Sequence, residues 1–194
     1  MANIDHVGLS KSDGKLLITM AREAISARLG ARAPRWPEIS KESEAVLSVP
    51  SGAFVTLRSG KGESAPLRGC IGRMTADESL IEVVREMARA AAFEDPRFPP
   101  LKADEYPGIS VEITVLTPMR PIKSVEEIEI GRHGVYLTKG WQQAVFLPQV
   151  ATEQRWNREE LLANLCRKAG LPPNAWKESD ARFQIFEGQI IEKE

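Results

Sequence analysis

The chain has 194 residues, of which 42% are hydrophobic and 27% are charged, so it fits one domain, with or without a small lobe, and is not globally disordered. Its net charge of −1, from 26 basic and 27 acidic residues, creates no overall positive potential that would attract nucleic acid. A nucleic acid would therefore have to bind at a local basic patch. No run of about 18 apolar residues is present, and the N-terminus has no apolar signal core. We therefore expect a cytoplasmic protein without membrane contact.

The first half of the chain predicts a helix followed by two paired strands. A polar tail over residues 1–12 leads into a domain over 13–194, whose first helix runs from Asp13 to Leu29 with Ser12 or Asp13 as its cap. A proline-bearing loop follows the helix. The segments GAFVTLRS and LRGCIGR then predict two antiparallel strands, because the turn-rich GKGESAP separates them.

The middle of the chain predicts a second helix and a third strand. Thr75 and Glu78 form the pattern of a capping box ahead of the helical segment SLIEVVREMARAAAF. A loop stiffened by four prolines comes next. The segment ISVEITVL alternates apolar and polar residues, which is typical of a strand with one buried face.

The last third predicts further strands and one helix. GRHGVYLTKGWQQAVFLPQV contains two strands joined around Lys139 and Gly140, and ARFQIFEGQIIE is interpreted as one strand. Asn157 and Glu160 predict a capped helix that Gly170 ends. Helices and antiparallel strands without regular βαβ alternation indicate the α+β class, with a mainly antiparallel sheet flanked by helices.

The strand LRGCIGR carries one of only two cysteines. Alternation places Arg68, Cys70 and Gly72 on one face, with Leu67, Gly69 and Ile71 on the other. A guanidinium beside a thiol favours the reactive thiolate, or it can hold a carboxylate or phosphate against the cysteine. The alternative is structural: free cysteine often packs as a small hydrophobic residue, and glycines in strands often allow close backbone approach.

Five motifs occur in order between Phe54 and Trp176, namely PLRGCIG, AAFEDPRFPPL, VEITVLTP, GRHGV and FLPQVATEQRWNREELLANLCRKAGL. Together they resemble the AMMECR-domain family, whose prokaryotic members are described as the A component of the Amme-Memo-radical-SAM set. The resemblance implies a compact α+β fold of a larger and a smaller lobe, with the arginine–glycine–cysteine segment lining a pocket. It also implies radical-SAM and Memo-like proteins as partners in a modification pathway.

A nucleophilic cysteine needs a base, usually histidine, and a group that orients the base. His6 lies in the polar tail, so His133, in the family's histidine–glycine turn, is the predicted base. Glu112, on the polar side of its strand, and Glu153, at a position that the family tends to keep acidic, are the predicted orienting carboxylates. For each of these residues the alternative is a structural or solvent-exposed role.

Two further residues complete the predicted site. Gln149 is expected to shape the region near Glu153. Arg97 is expected to lock its own loop by pairing with Asp95, or, as the alternative, to act with Arg68 as an anion clamp. The predicted substrate-binding group therefore comprises Arg68, Gly69, Gly72, Arg97 and Gln149.

The function expected from these residues is that of a cysteine-dependent enzyme, or an accessory component of one, acting on a small molecule or a modified substrate. Two cysteines and two histidines without short spacing predict no metal site, and no cofactor is indicated. The alternatives are a non-catalytic module that binds a ligand or nucleic acid, and a protein–protein adaptor. Trp141, Trp156 and Trp176 are expected to pack in the core or between lobes rather than stack on bases.

Overall fold

The computed structural model describes residues 8–61, 65–75 and 77–192. The chain forms two compact units, the first made of residues up to Leu116 together with the segment from Gln189 onward, and the second of Thr117–Gly188. The helices are α1 (Lys11–Leu29), α2 (Lys41–Leu47), α3 (Leu80–Phe93), α4 (Pro148–Glu153) and α5 (Arg158–Lys168). The strands are β1 (Ala53–Ser59), β2 (Leu67–Arg73), β3 (Ile109–Leu116), β4 (Arg120–Pro121), β5 (Gly134–Lys139), β6 (Gln142–Phe146), β7 (Arg182–Phe186) and β8 (Gly188–Glu192).

The first unit is built on a four-stranded sheet in the order β2-β1-β3-β8, in which β1 pairs antiparallel with both β2 and β3. One face of this sheet is apolar and packs against α1 and α3. The helical stripe predicted from SLIEVVREMARAAAF is buried in that core, as are the alternate residues of β3. The predicted positions that lie in this core are Leu80, Val83, Val84, Met87, Ala91, Ile109, Val111, Ile113 and Val115.

The helix starts of the first unit differ from the predicted ones. Helix α1 begins at Lys11 because the side chain of Ser10 accepts a hydrogen bond from the Asp13 amide, and Asp13 bonds back to the Ser10 amide. Helix α3 begins at Leu80 rather than in the TADE segment, because Ser79 is its N-cap. The proline-bearing loop contains the unpredicted helix α2, which Ser40 caps.

The second unit contains a sheet in the order β4-β7-β5-β6, with antiparallel pairs throughout, and a core shared with α5. The predicted capping box of α5 is confirmed: Asn157 accepts the Glu160 amide and Glu160 accepts the Asn157 amide. Gly170 follows the last helical residues with a φ of +76°, a conformation in which glycine is favoured. The two antiparallel sheets with flanking helices confirm the α+β class.

Two predictions for the last third of the chain are wrong. The segment interpreted as one final strand is two strands, β7 and β8, which belong to different sheets. Trp141 is 101% exposed at the tip of the β5–β6 hairpin, so it is not a packing residue, whereas Trp156 and Trp176 pack against the second core. Within the described residues, no helix combines the length and apolarity that crossing a bilayer requires.

Candidate functional site

Cys70 lies in β2, at the edge of the first sheet, in a row of polar side chains. Its partner in β1 is Thr56, whose own partner in β3 is Glu112. The Thr56 hydroxyl donates a hydrogen bond to the Cys70 sulfur at 3.3 Å. Glu112 stands two strands away, about 10 Å across the sheet, and its carboxylate lies 4.0 Å from Nε of Arg58. The thiol therefore contacts Thr56 directly, and Glu112 belongs to the same row without adjoining it.

The main chain of Cys70 is held by two charged side chains from the loop after α3. The Cys70 amide donates to Oδ2 of Asp95 at 2.9 Å, and Nη2 of Arg97 donates to the Cys70 carbonyl oxygen at 3.1 Å. These are the two main-chain groups that an additional strand would otherwise bond. Asp95 and Arg97 therefore close the edge of the sheet at the cysteine, as native proteins commonly protect such edges.

The same two residues form an ion pair, which confirms the predicted loop lock. Nε and Nη2 of Arg97 donate to the two oxygens of Asp95 at 2.9 and 2.7 Å. The Asp95 side chain is 1% exposed, whereas that of Arg97 is 55% exposed. The Arg97 guanidinium holds the pKa of Asp95 below its usual value, and Asp95, with a smaller contribution from Cys70, raises the pKa of Arg97. Arg97 therefore places its guanidinium at the main chain of the cysteine.

Arg68 does not take the place beside the thiol that strand alternation predicts. The pairing of β1 with β2 shifts register at this point, since Leu57 opposes Gly69 and Arg58 opposes Leu67. Arg68 is the additional residue, and its guanidinium instead makes a bidentate pair with Glu105, at 2.9 and 3.1 Å. An extra residue in one strand redirects side chains locally, which explains why simple alternation fails here.

The two glycines beside Cys70 allow close packing. A Cβ on Gly69 would lie 2.1 Å from the carbonyl oxygen of Ala91, so this glycine lets β2 approach the backbone of α3. A Cβ on Gly72 would lie 2.3 Å from the ring of Phe54, so the gap expected beside the thiol is occupied by an aromatic ring. Packing accounts for both glycines, and contact with a substrate stays a prediction for each.

His133 belongs to the second unit and is 7% exposed. Its Nδ1 accepts the Glu129 amide at 3.0 Å, and its own amide donates to the Glu129 carbonyl oxygen at 3.0 Å. Neutral His133 therefore carries its proton on Nε2, which lies 3.9 Å from Oε1 of Glu187. The backbone contacts fit the structural alternative for this turn histidine and also fix its tautomer.

The other predicted residues of the second unit lie on α4. Glu153 is the last residue of that helix and is exposed, and Gln149 is its second residue and is partly buried. His6 lies outside the described residues. Within residues 8–61, 65–75 and 77–192, no group of three or more histidine, cysteine, aspartate or glutamate side chains is placed to hold a metal ion.

The sequence interpretation missed two partners of the predicted site. Thr56 lies on the polar face of GAFVTLRS, and pairing the two predicted strands across their connecting loop would have placed it beside Cys70. No sequence pattern indicated that Glu105 pairs with Arg68, because Glu105 lies in a loop far along the chain. Asp95 was singled out for its pairing with Arg97, but its bond to the Cys70 amide depends on how the loop folds back on β2.

The two cysteines differ in their surroundings. Cys70 is partly exposed, with a hydroxyl donor and a guanidinium nearby. Cys166 is 0% exposed in α5, and burial raises the pKa of its thiol. Cys70 is therefore the more accessible of the two thiols and the one with a polar side-chain neighbour.

This chain is similar to known proteins along nearly its whole length. The AMMECR1 family model matches residues 18–191. A protein of Methanothermobacter thermautotrophicus is 40% identical over 96% of this chain and 97% of its own length, and a Pyrococcus furiosus protein is 41% identical over 93% and 88%. The crystal structure of an uncharacterised Pyrococcus horikoshii protein, 36% identical, superposes with a TM-score of 0.81 over 94% of this chain and 92% of that one. This chain therefore belongs to the AMMECR1 family.

Proposed function

We propose that this protein is a cysteine-dependent enzyme, or an accessory component of one, in a cytoplasmic modification pathway. The observation that carries the proposal is the environment of Cys70. Its sulfur accepts a hydrogen bond from Thr56, it is partly exposed, and Arg97 places a positive charge beside it. A partly exposed thiol with a polar neighbour and a nearby guanidinium is the kind of surroundings in which nucleophilic cysteines occur.

In this proposal Cys70 is the nucleophile or covalent carrier, and Arg97 is its electrostatic partner. Asp95 positions Arg97 and fixes the main chain of Cys70 through its bond to the amide. Arg68 stays the predicted anion clamp, although its bidentate pair with Glu105 would have to open before it held a substrate.

The described part of the first unit contains no histidine, so a side-chain imidazole base for Cys70 has to come from elsewhere. His133 remains the proposed base, and Glu112 or Glu153 the proposed carboxylate that orients it. The proposed substrate is a small molecule or a modified substrate. Radical-SAM and Memo-like proteins are the proposed partners, and any cofactor would belong to them.

Selective alkylation of the native protein tests the proposal. Iodoacetamide is added near about pH 8, and the Cys70 and Cys166 peptides are quantified over time by mass spectrometry. We expect Cys70 to react about a hundredfold faster or more, because Cys166 becomes accessible only when its helix opens. The control is the unfolded protein in guanidinium chloride, in which the two cysteines should react at similar rates.

The matched variant is Thr56→Val, which keeps the branched shape but removes the hydroxyl donor. It should slow alkylation of Cys70 by about threefold, in line with one weak hydrogen bond to the thiolate. Equal, slow labelling of both cysteines, or labelling of Cys70 only after unfolding, would contradict a reactive cysteine. The binding-module alternative would then be tested by whether a ligand raises Tm equally in the wild type and in Cys70→Ala.

A further inference from the structure

A separate cavity of about 370 Å³ lies on the helical side of the first unit, away from the sheet face that carries Cys70. Its walls come from α1, α3 and the segment that follows α1, and its volume falls within the roughly 300–1,000 Å³ of small-molecule sites. We propose that this cavity binds a small organic anion that combines one flat ring with a carboxylate or phosphate. The proposal does not depend on the chemistry of Cys70.

The charge of the lining favours an anion. Arg28 and Arg89 are exposed and line the cavity, and within the described residues neither guanidinium has a carboxylate partner. Two other charged lining residues are already paired, Arg32 with Glu23 and Glu86 with Arg73. Glu94 is the remaining lining carboxylate. Two arginines face one glutamate, so an incoming anion meets net positive charge.

The apolar part of the lining favours a ring. Trp36 and Phe93 contribute aromatic surfaces, and Ala24 and Ala27 leave room because their side chains are small. Trp36 is still 37% exposed, even though the guanidinium of Arg85 lies 3.8 Å from its ring centroid. A large indole left accessible beside a cavity offers stacking area to a flat ligand.

The charged part and the aromatic part of the lining are adjacent, because the guanidinium of Arg28 lies 5.6 Å from the ring centroid of Phe93. A ligand that rests its ring near Phe93 therefore places an anionic substituent within reach of Arg28. Guanidinium groups bind carboxylate and phosphate with two parallel hydrogen bonds, so both anions satisfy the same geometry.

The wall formed by the segment that follows α1 is fixed by hydrogen bonds to that helix. Arg32 donates to both oxygens of Glu23 on α1, at 2.6 and 3.0 Å, and the amide of Arg35 donates to the same carboxylate. This network fixes the segment that carries Pro34 and Trp36 against α1. A fixed wall lowers the entropic cost of binding, which is the usual advantage of a preformed site.

Isothermal titration calorimetry on the full chain tests the proposal with four probes. Indole-3-acetate supplies a ring and a carboxylate, adenosine monophosphate a ring and a phosphate, inorganic phosphate the anion alone, and indole the ring alone. We expect at least one of the two combined probes to bind with a Kd of about 1 mM or tighter and each single-feature probe to bind at least about tenfold more weakly. Binding of the first probe alone identifies a carboxylate ligand, and binding of the second alone identifies a nucleotide.

Two variants and two controls assign the binding to this cavity. Arg28→Ala and Arg89→Ala should each weaken it by about tenfold, the effect of losing one charged hydrogen-bonding partner. Lys123→Ala removes one positive charge from an exposed site in the second unit and should leave the affinity unchanged. Circular dichroism melts establish that each variant is folded, and Cys70→Ser should bind like the wild type.

The proposal is overturned if neither combined probe gives a saturable heat, or if inorganic phosphate binds as tightly as adenosine monophosphate. It is also overturned if folded Arg28→Ala and Arg89→Ala variants keep the wild-type affinity. Because Cys70 lies on the other side of the sheet, these outcomes leave the proposed cysteine chemistry unaffected.

Discussion

The two units of this protein place the same residue types in different surroundings. In the first unit Cys70 sits on an edge strand, where Thr56 bonds its sulfur and Asp95 bonds its amide. In the second unit Cys166 lies on a helix, fully enclosed by the apolar core around Leu162. The cysteine at the polar strand edge is partly exposed, whereas the one in the helix contributes packing to the core.

Close-packed glycines show a similar contrast. Gly69 faces the backbone of α3 in the first unit, and Gly134 faces the ring of Phe186 in the second, where an added Cβ would lie 2.2 Å from a ring carbon. A backbone carbonyl inside a helix cannot move without shifting the helix, but a ring can rotate or tilt. The first unit should therefore be the less tolerant of an added methyl group at its glycine.

The largest expected effect follows from this difference. Gly69→Ala should lower the free energy of unfolding by about 3 kcal/mol, because α3 has to move away from the sheet, and Gly134→Ala should cost less. Guanidinium denaturation followed by circular dichroism measures both. Gly108→Ala is the control, since a Cβ there meets nothing within 4 Å. A larger loss for Gly134→Ala would contradict the distinction between backbone and ring.

The next effect sharpens the comparison of the cysteines. Cys166→Ser should lower the free energy of unfolding by about 2 kcal/mol, since it buries a hydroxyl in the second core, where the Trp176 backbone is its polar neighbour. Cys70→Ser should change stability by less than about 0.5 kcal/mol, because Thr56 and solvent are available to its hydroxyl. The same denaturation experiment measures both variants, and equal losses would show that the two environments are alike.

Asp95→Asn tests the ion pair at the strand edge. The substitution should lower the free energy of unfolding by about 1.5 kcal/mol at neutral pH. This loss is smaller than that of a fully buried ion pair, because the Arg97 guanidinium is half exposed and becomes hydrated when its partner is removed. The pKa of Asp95 is lowered in the folded state, so its carboxylate stabilises the fold above its unfolded pKa and loses this contribution as pH falls below about 4. The stability difference between wild type and variant, measured from pH 7 to 3, should therefore shrink towards low pH. A difference that stays constant would contradict the pairing.

The smallest expected effect separates the two arginines near Cys70. Arg97→Gln should slow alkylation of Cys70 by about threefold, because it removes the adjacent positive charge. Arg68→Gln should leave the rate unchanged, since that guanidinium is paired with Glu105. If Arg68→Gln slowed the reaction more, the assignment of Arg97 as the electrostatic partner would be wrong.

The sequence predicted elements best where periodicity was long and uninterrupted. The stripe of α3 and the alternation of β3 are both buried as expected, because each repeats over several residues. The alternation of β2 failed at Arg68, where one extra residue changes the facing of the side chain without leaving a pattern in the sequence. The final segment failed because a single residue, Glu187, separates β7 from β8 and gives no turn signal, although the chain changes sheets there.

The site was predictable in type but not in its contacts. The motif around Cys70 singled out the cysteine, and the DPRF segment singled out Asp95 and Arg97 as an ion pair. Their bonds to the Cys70 main chain join residues 25 and 27 positions apart, and the fold of the loop decides those bonds. Local sequence patterns carry no information about such contacts.

The order of the strands also bears on how the protein is made. The first sheet needs β8, which follows the whole of Thr117–Gly188 in the sequence. During translation the ribosome therefore produces the second unit before the strand that completes the first sheet. Until β8 is made, one edge of β3 is unpaired and its main-chain groups can bond to other chains. A translational pause after Leu116 would therefore prolong the interval in which the nascent chain recruits chaperones.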